Sequence, residues 1–260
     1  MSAIPGAAHF KLSAIVICRN EEAVIGRCLA SLAWAEEIVV FDSGSTDRTV
    51  AICRELGATV HTADWQGPAT QRNRAIDHSS GDWILALDAD EWVTEALRLE
   101  IEAVVRAEPS AKGPAAYRMP RLSSYCGRPM RHGGWWPDYV SRLFRRGAAR
   151  FEGGILHDHL VCECPTGRLH NHLMHEPFKD LSKVLDKLNA YSTWGAQSLH
   201  EKGRSSGLLR AVGHGAWTFF RTYVLRAGFL DGREGFLLAA SNAEGTYYKY
   251  VKLMLMARRR

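Results

Sequence analysis

The stretch GDWILALDADEW, residues Gly81 to Trp92, opens with a glycine, continues as an unbroken apolar run and closes in acids. Such a short continuous run predicts a β-strand that is buried on both faces of a parallel sheet. In open α/β sheets, ligands bind at the carboxyl ends of the strands. Asp88 and Asp90 would share one face of a continuing strand there, and two anions so close require a cation between them.

Asp88 and Asp90 have the chemistry of a divalent metal site. Mg²⁺ and Mn²⁺ prefer oxygen ligands, keep several waters and bridge to the phosphates of a substrate. The pair therefore indicates a metal–diphosphate site. Acids also commonly end a strand where the chain turns into solvent, and an Asp-x-Asp pair on its own is more often of that kind.

Strands and helices alternate through the first hundred residues. Apolar runs predict strands at 12–18, 36–41, 58–62 and 83–87. Helical spacing of apolar residues lies between these runs, so the fold class is α/β, with a Rossmann-like, mostly parallel sheet flanked by helices. Because parallel strands end at one edge, the strand ends at Cys18, Asp42 and Asp88 should line one crevice.

Polar side chains near that edge are suited to a nucleotide. Asp42 could accept a hydrogen bond from a base N–H, or it could form the Asp-Ser-Gly turn that follows the strand. Arg72 or Arg74 could hold a diphosphate with a bidentate guanidinium, or lie on a solvated helix face. Together with the two acids after the buried strand, they favour a nucleotide–metal pocket.

Four motifs in order resemble the donor half of glycosyltransferase family 2, the inverting enzymes of GT-A fold: VICRNEE, VVFDSGSTD, QRNRA and LALDADEW. The resemblance implies a nucleotide-sugar site and a Mg²⁺ or Mn²⁺ cofactor, with Asp90 as the principal metal ligand. The residues that it assigns to the nucleotide sugar are Cys18, Arg19, Glu21, Asp42, Gly44, Arg72, Arg74 and Asp88, the last of which also lies toward the metal. Many members carry a second acid where this chain has Ser43, so the preference for one donor base is less defined.

Residues 151–159, FEGGILHDH, form a second chemical centre. An inverting transfer needs a carboxylate or imidazole to take the proton of the acceptor hydroxyl while the sugar carbon is attacked opposite the departing diphosphate. We predict Asp158 as this base, because relatives in the family carry an acid followed by apolar residues here. His157 is predicted to help bind the metal or the diphosphate.

The same region permits a structural zinc site, since histidines and cysteines are dense between residues 157 and 175. The candidate ligands are His157, His159, Cys162, Cys164, His170, His172 and His175. Their spacing matches no known zinc finger, and solvated or hydrogen-bonded histidines are the alternative. Six scattered cysteines with no signal segment before them predict a reducing, cytoplasmic protein without disulfides.

The chain is acidic in its first part and basic in its last. We predict a GT-A catalytic domain at 1–178, with a nucleotide-sugar half at 12–105 and an acceptor half at 110–175, and a helical extension at 179–260. Aromatic and basic residues alternate in this extension, which suits helices lying on an anionic membrane surface; packing onto the catalytic domain is the alternative. No nucleic acid is expected, because no RNA- or DNA-binding motif accompanies the basic residues.

The segments GGWWPDYVSRLFRRG and NHLMHEPFKDLSKVLDKLNAYS are similar to lipopolysaccharide core glucosyltransferases of the WaaE/KdtX type. This resemblance implies transfer of a hexose, glucose in that type, from a UDP-sugar to a lipid-anchored inner-core heptose. The protein would be peripheral on the inner face of the cytoplasmic membrane. Two alternatives are a membrane-associated nucleotide-sugar-binding protein without turnover and a phosphohydrolase of the Asp-x-Asp class, although Trp92 stands where the phosphohydrolase needs threonine.

Overall fold

The computed structural model describes residues 10–107, 113–154 and 158–257 of the 260-residue chain. The chain forms two compact units. The first consists of the residues up to Arg121 together with Asp138–His175, and the second of Leu122–Pro137 together with the residues from Glu176 onward. The second unit thus includes a segment near residue 130 that is distant in sequence from the helices it accompanies.

The first unit begins with alternating strands and helices. The strands are β1 (Leu12–Cys18), β2 (Glu37–Asp42), β3 (Thr59–Thr62), β4 (Trp83–Asp88) and β5 (Glu91–Val93), and the helices are α1 (Ile25–Ala30), α2 (Thr49–Glu55), α3 (Pro68–Asp77) and α4 (Glu95–Arg106). Each strand predicted from an apolar run is present, with ends that differ by one residue at most. The predicted α/β class is confirmed.

Further strands follow helix α4. They are β6 (Ala116–Tyr125), β7 (Arg128–Pro129), β8 (Asp138–Arg145), β9 (Ala149–Gly153), β10 (Asp158–Cys162), β11 (Thr166–Arg168) and β12 (Leu173–Phe178). In the main sheet the order begins β3-β2-β1-β4-β8-β6; the pairs among β1 to β4 are parallel, whereas β8 is antiparallel to β4 and to β6. Strand β5 pairs antiparallel with β12, and β9 with β10.

The residues of β1 show why the amino-terminal strands are continuously apolar. Val16 and its neighbours two residues away lie in one buried cluster, which includes Leu29 of α1 and Leu97 of α4. Ile15 and Ile17 lie in a second cluster with Ile76 of α3. Because successive side chains point to opposite faces and helices cover both faces, the strand is apolar at every position except Ser13, whose hydroxyl donates to Glu37.

The described residues of the second unit form three helices, α5 (Leu181–Glu201), α6 (Leu208–Phe220) and α7 (Gly232–Ala257), with a π-helical turn at Arg221–Leu225 and a 3-10 turn at Gly228–Asp231. Helix α7 packs against both α5 and α6. The small core of the second unit contains Tyr125, Met130, Val184 and Leu238. None of the helices in the described residues is both long and apolar enough to cross a bilayer.

Cys162 and Cys164 form a disulfide, which corrects the expectation of a chain without disulfides. The bond joins residues only two apart at the end of β10, so it closes a very short loop. It also removes two of the seven candidate zinc ligands. Within the three described ranges, no group of three His, Cys, Asp or Glu side chains is arranged to hold a metal ion, and the zinc interpretation finds no support.

Candidate functional site

The carboxyl ends of β1, β2 and β4 meet at one edge of the sheet, as predicted. In the parallel ladders Ile17 pairs with Asp88 and Cys18 pairs with Asp42. The two aspartates are therefore placed on either side of the end of β1. The strand ends that were expected to line a crevice therefore lie together.

Asp88 lies between two arginines that come from different elements. One terminal nitrogen of Arg72, on α3, donates to Asp88 Oδ1 at 2.6 Å, and Arg142 of β8 donates to Oδ2 at the same distance. Both arginine side chains are almost completely buried. Each oxygen of Asp88 is thus engaged by a guanidinium, and the cations at this acid are side chains of the protein.

Glu91 contacts both Asp88 and Arg142. Its side chain is fully buried, and Oε2 accepts the backbone N–H of Asp88 at 3.0 Å. Its Oε1 accepts from Arg142 at 2.7 Å and from Arg121 of β6 at 3.0 Å. Arg121 also pairs with Asp138. Acids and arginines therefore alternate in a continuous network around the buried Glu91, and the pairing compensates for the cost of removing its charge from water.

Burial by itself acts to raise the pKa of the Asp88 carboxyl, but the positive charges of Arg72 and Arg142 outweigh it and hold the pKa well below its usual range. Burial likewise acts to lower the pKa of the Arg142 guanidinium, and the charges of Glu91 and Asp88 raise it above its ordinary value instead. Asp88 and Arg142 are therefore both held in their charged forms at neutral pH.

Asp90 occupies a different position from Asp88. Strand β4 ends at Asp88, residues 89 and 90 form a turn, and β5 begins at Glu91. The prediction that both aspartates share the face of a continuing strand is wrong, because the chain turns between them. Asp90 lies 3.6 Å from Nε2 of His175, and its side chain remains 24% exposed.

The structure places Arg72 and Arg74 in different surroundings. Arg72 donates through Nε to Asp158 at 2.7 Å as well as to Asp88. Arg74 pairs with Asp64 on the loop before α3. Among the described residues, Nη1 of Arg72 is buried without a hydrogen-bond partner, so this guanidinium retains a donor for an anion. Arg72, and not Arg74, belongs to the acidic cluster.

Asp158 begins β10 and reaches Arg72 because β9 is fixed to α3. The side chain of Asn73 donates to the carbonyl of Phe151 at 2.8 Å and accepts its N–H at 3.1 Å. Asp158 pairs with Gly153 across the β9–β10 ladder, and its side chain is 15% exposed. His157 lies outside the described residues.

The residues expected to surround the nucleoside form a turn network at the ends of β1 and β2. Asp42 is buried, and its carboxylate accepts the backbone N–H groups of Gly44 and Ser45 at 3.0 and 2.9 Å. This is the turn-forming arrangement that the sequence left open. Asn20, with a positive φ, donates to Ser45 and accepts from Thr46.

The remaining residues assigned to the nucleotide differ in accessibility. Cys18 is buried and its thiol lies 3.7 Å from Asp42. Arg19 is exposed, and the N–H of Glu21 donates to Thr49 at 2.7 Å. Gly44 has a φ of 83°, which a side chain would disfavour. Of the residues assigned to the nucleotide in these two loops, Arg19 and Gly44 are the exposed ones.

Sequence reasoning missed Glu91, Arg121 and Arg142 as members of the site, and it considered His175 only as a zinc ligand. Glu91 had a signal, because it directly follows the Asp-x-Asp pair. Arg142 had a weaker one, an arginine within the apolar strand pattern of VSRLF. Nothing local shows that β8 lies beside β4, since that pairing joins residues about sixty positions apart.

The model of the family "Glycosyl transferase family 2" matches residues 13–155. The lipopolysaccharide core biosynthesis glycosyltransferase LpsC of Rhizobium meliloti (strain 1021) is 30% identical to this chain over 93% of it and 91% of the relative. An uncharacterized glycosyltransferase of Rickettsia bellii (strain RML369-C) is 29% identical over 94% of this chain and 86% of its own.

Among solved structures, Staphylococcus aureus TarS residues 1–349 in complex with UDP aligns with a TM-score of 0.38 and 26% identity, covering 45% of this chain and 37% of that one. The family match covers more than half of the chain and includes every strand of the parallel sheet, Asp88, Asp90 and both arginines that hold Asp88. With LpsC similar over nearly its whole length, the chain belongs to glycosyl transferase family 2.

Proposed function

We propose that this glycosyltransferase moves a hexose, with glucose as the first candidate, from a UDP-sugar to a lipid-linked saccharide such as a lipopolysaccharide inner-core heptose. The anomeric carbon is inverted in the transfer. One observation carries the proposal: a single guanidinium, that of Arg72, contacts both Asp88 at the end of β4 and Asp158 on β10. The acceptor class is supported by the similarity to LpsC along almost all of both chains.

The donor site is proposed at the ends of β1, β2 and β4. The nucleoside is held by Cys18, Arg19, Glu21, Asp42 and Gly44, largely through the backbone of the two loops. Arg72 is oriented by its two carboxylates, and its spare donor can bind the diphosphate. A guanidinium at this point stabilises the negative charge that develops on the leaving UDP.

The residues present fit a divalent cation that has few protein ligands. Mg²⁺ is commonly held by one or two carboxylates with the remaining positions filled by water and substrate phosphates. Asp90 has an accessible carboxylate, whereas both oxygens of Asp88 are taken by arginines. We therefore retain Asp90 as the metal ligand and leave Asp88 as the residue that orients Arg72. The bound ion would neutralise charge on the diphosphate.

Asp158 is proposed as the general base. The acceptor oxygen attacks the anomeric carbon as the bond from that carbon to the diphosphate oxygen breaks, and Asp158 takes the hydroxyl proton. UDP departs with the bonding electron pair, so no covalent intermediate is needed. As the diphosphate draws Arg72 toward itself, the carboxylate of Asp158 becomes available for the acceptor. Donor binding would thus precede base activation.

In this proposal residues 1–178 contain the catalytic machinery, with the donor half at 12–105 and the acceptor half at 110–175. Residues 179–260 associate with an anionic membrane surface at the inner face of the cytoplasmic membrane. An acceptor anchored in lipid would explain why a transferase carries exposed apolar and basic helices. The nucleotide-binding alternative without turnover predicts donor binding but no glycosylated product.

Calorimetric titration with UDP, GDP and UDP-glucose, with and without Mn²⁺, tests the donor site. We expect metal-dependent binding of UDP and UDP-glucose. Mass analysis of lipopolysaccharide core incubated with UDP-glucose then tests transfer. Binding without product would favour the non-catalytic alternative, and absence of nucleotide binding under all conditions would contradict the donor assignment.

A further inference from the structure

Helix α6 presents its small residues inward and its large apolar residues outward. Ala211 and Gly215 are buried, as is Thr222 in the π-helical turn that continues the helix. By contrast Leu209 is 89% exposed and Trp217 is 53% exposed. A surface helix of a water-soluble domain has the opposite arrangement, with large apolar side chains turned toward the core.

The small residues allow α6 to approach α7 closely. A Cβ atom added to Gly215 would lie 3.3 Å from the carbonyl oxygen of Ala243 and 3.3 Å from Cβ of Tyr247. Close helix packing through small residues is the arrangement that helices adopt where the surrounding medium is lipid, because large apolar side chains gain nothing by facing inward there.

The apolar face is continuous along the helix and past its end. We call this surface the outer face; it consists of Leu209, Val212, Trp217, Phe220, Leu225 and Leu230, each at least 44% exposed. At about 100° per residue, Leu209, Val212 and Phe220 lie within about 80° of one another. The exposed apolar stripe is therefore much more extensive than the scattered residues found on most soluble surfaces.

Charge around the outer face is almost entirely positive. Arginines 204, 210, 221, 226 and 233 are all exposed. Between residues 202 and 233 the one acid is Asp231, which is buried and accepts from the N–H groups of Arg131 and His132. Asp231 thus fixes the corner between α6 and α7 and adds no accessible negative charge. The surface complements an anionic one.

Helix α6 and its π-helical turn run from Leu208 to Leu225, about 27 Å at 1.5 Å per residue. This is shorter than the hydrocarbon core of a bilayer, which is about 30 Å thick. Arg210 and Arg221 also lie at the border of the apolar stripe. The geometry suits a helix that lies in the plane of the membrane with its arginines at the headgroups.

Residues near the carboxyl-terminal end of α7 pack against α5 and α6. Lys252 donates to the carbonyl and side chain of Asn189 and to the hydroxyls of Ser192 and Thr193 on α5. The ring of Tyr250 stacks on that of His214 with 4.2 Å between centroids. The aromatic and basic residues near the carboxyl terminus of α7 therefore hold the helices together.

We propose that the outer face inserts into one leaflet of an anionic bilayer, with α6 in the membrane plane and the corner at Leu230 embedded beside it. The proposal rests on the membrane association included in the proposed function, and it identifies the surface and the depth of contact. The exposed arginines supply attraction to anionic headgroups, and the apolar stripe supplies binding that does not depend on charge.

Co-sedimentation with vesicles of equal parts phosphatidylcholine and phosphatidylglycerol tests the proposal on the full chain. We expect the double variant Leu209→Glu/Leu225→Glu to lose more than about 10-fold in partitioning, since the variant removes two apolar side chains from the inserted surface and adds charges that anionic headgroups repel. The matched control is Leu56→Glu/Leu99→Glu, at two exposed leucines of the first unit, which should partition as the unmodified protein does. Equal partitioning of both double variants would overturn the proposal.

Depth is tested with brominated lipids. The difference in quenching between the unmodified protein and Trp217→Phe isolates Trp217, and we expect strong quenching of that signal by bromine near the headgroup end of the acyl chain. Unquenched Trp217 would contradict insertion. Self-association through this face without vesicle binding, seen by sedimentation velocity, would assign the surface to a second copy of the chain instead.

Transfer to a lipid-free core oligosaccharide separates this inference from the proposed function. The Leu209→Glu/Leu225→Glu variant should retain that transfer while it loses vesicle binding. This result would show that membrane insertion is a property separate from catalysis. If the unmodified protein binds vesicles and inserts Trp217 but transfers no sugar, the proposed function is wrong and the membrane face stands.

Discussion

Arg72 and Asp158 are 86 positions apart in the sequence, yet Nε of Arg72 donates to Asp158 at 2.7 Å. The same guanidinium donates to Asp88 at 2.6 Å. Arg72, on helix α3, therefore joins the end of strand β4 to the β9–β10 hairpin, which comes much later in the chain. The proposed donor and acceptor chemistry converge on this one side chain.

Asp158→Asn tests the general base. The amide is nearly the same size and still accepts from Arg72, so we expect turnover to fall by about 10²-fold or more while UDP binding is retained. Steady-state transfer assays and calorimetry measure the two quantities separately. A near-normal rate would move the base to another residue, with His159 as the first to examine.

Arg72→Lys and Arg74→Lys form a matched pair on one helix. Lysine keeps the charge but cannot bridge two carboxylates with a planar fork. We expect Arg72→Lys to lower kcat and weaken UDP binding by about 10-fold or more, since a charge-assisted hydrogen bond contributes about 1.5–3 kcal/mol. Arg74→Lys should leave both within about twofold, because its partner is Asp64 on a loop. Equal losses in the two variants would contradict the assignment of Arg72.

Asp90→Ala tests the metal ligand. Its carboxylate is 24% exposed and lies 3.6 Å from His175, outside the buried ion pairs of Asp88, so the fold should survive while Mn²⁺ no longer strengthens UDP binding. Asp64→Ala removes a more exposed acid, 67% against 24%, which pairs with Arg74 away from the acidic cluster, and provides the control. Calorimetry at several Mn²⁺ concentrations measures how strongly UDP affinity depends on the metal. If this dependence is unchanged in Asp90→Ala, Asp90 is not the metal ligand.

The pH dependence of stability tests the ion pairs of Asp88. Folding depresses the pKa of this carboxyl, so its stabilising contribution is fully present above the unfolded pKa of about 4 and is lost as pH falls through the lower folded value. Asp88→Asn should cost about 3 kcal/mol at neutral pH. The difference in unfolding free energy between the two proteins should shrink in acid, below about pH 4.

Urea unfolding of both proteins across this range supplies the measurement. Comparing the variant with the unmodified protein at each pH cancels the contributions of the other carboxyls. A difference that stays constant down to strongly acidic pH would show that the arginines do not stabilise the ionised form of Asp88.

Local patterns carried the prediction of the four parallel strands β1 to β4. The apolar run at β1 reflects the burial of that strand, and the acids after β4 reflect the turn at its end. Both features can be recognised from residues that are neighbours in the sequence. The relation of Asp88 to Asp90 failed, because periodicity cannot tell whether a strand continues or turns at Ala89. The choice between Arg72 and Arg74 stayed open for a similar reason: both lie on α3, and only packing decides which one faces the crevice.

Local sequence patterns determined the α/β order, the strands whose ends lie together and the likeness to family 2. They could do so because strand burial and turns are encoded by the types of residues within a few positions of each other. The tertiary structure alone decided that Arg142 and Glu91 enclose Asp88, that Arg72 reaches Asp158, and that α6 turns its large side chains outward. These features depend on pairings such as β4 with β8 and α6 with α7. Their energy comes from desolvated charges and close packing across long separations, which no local window of sequence contains.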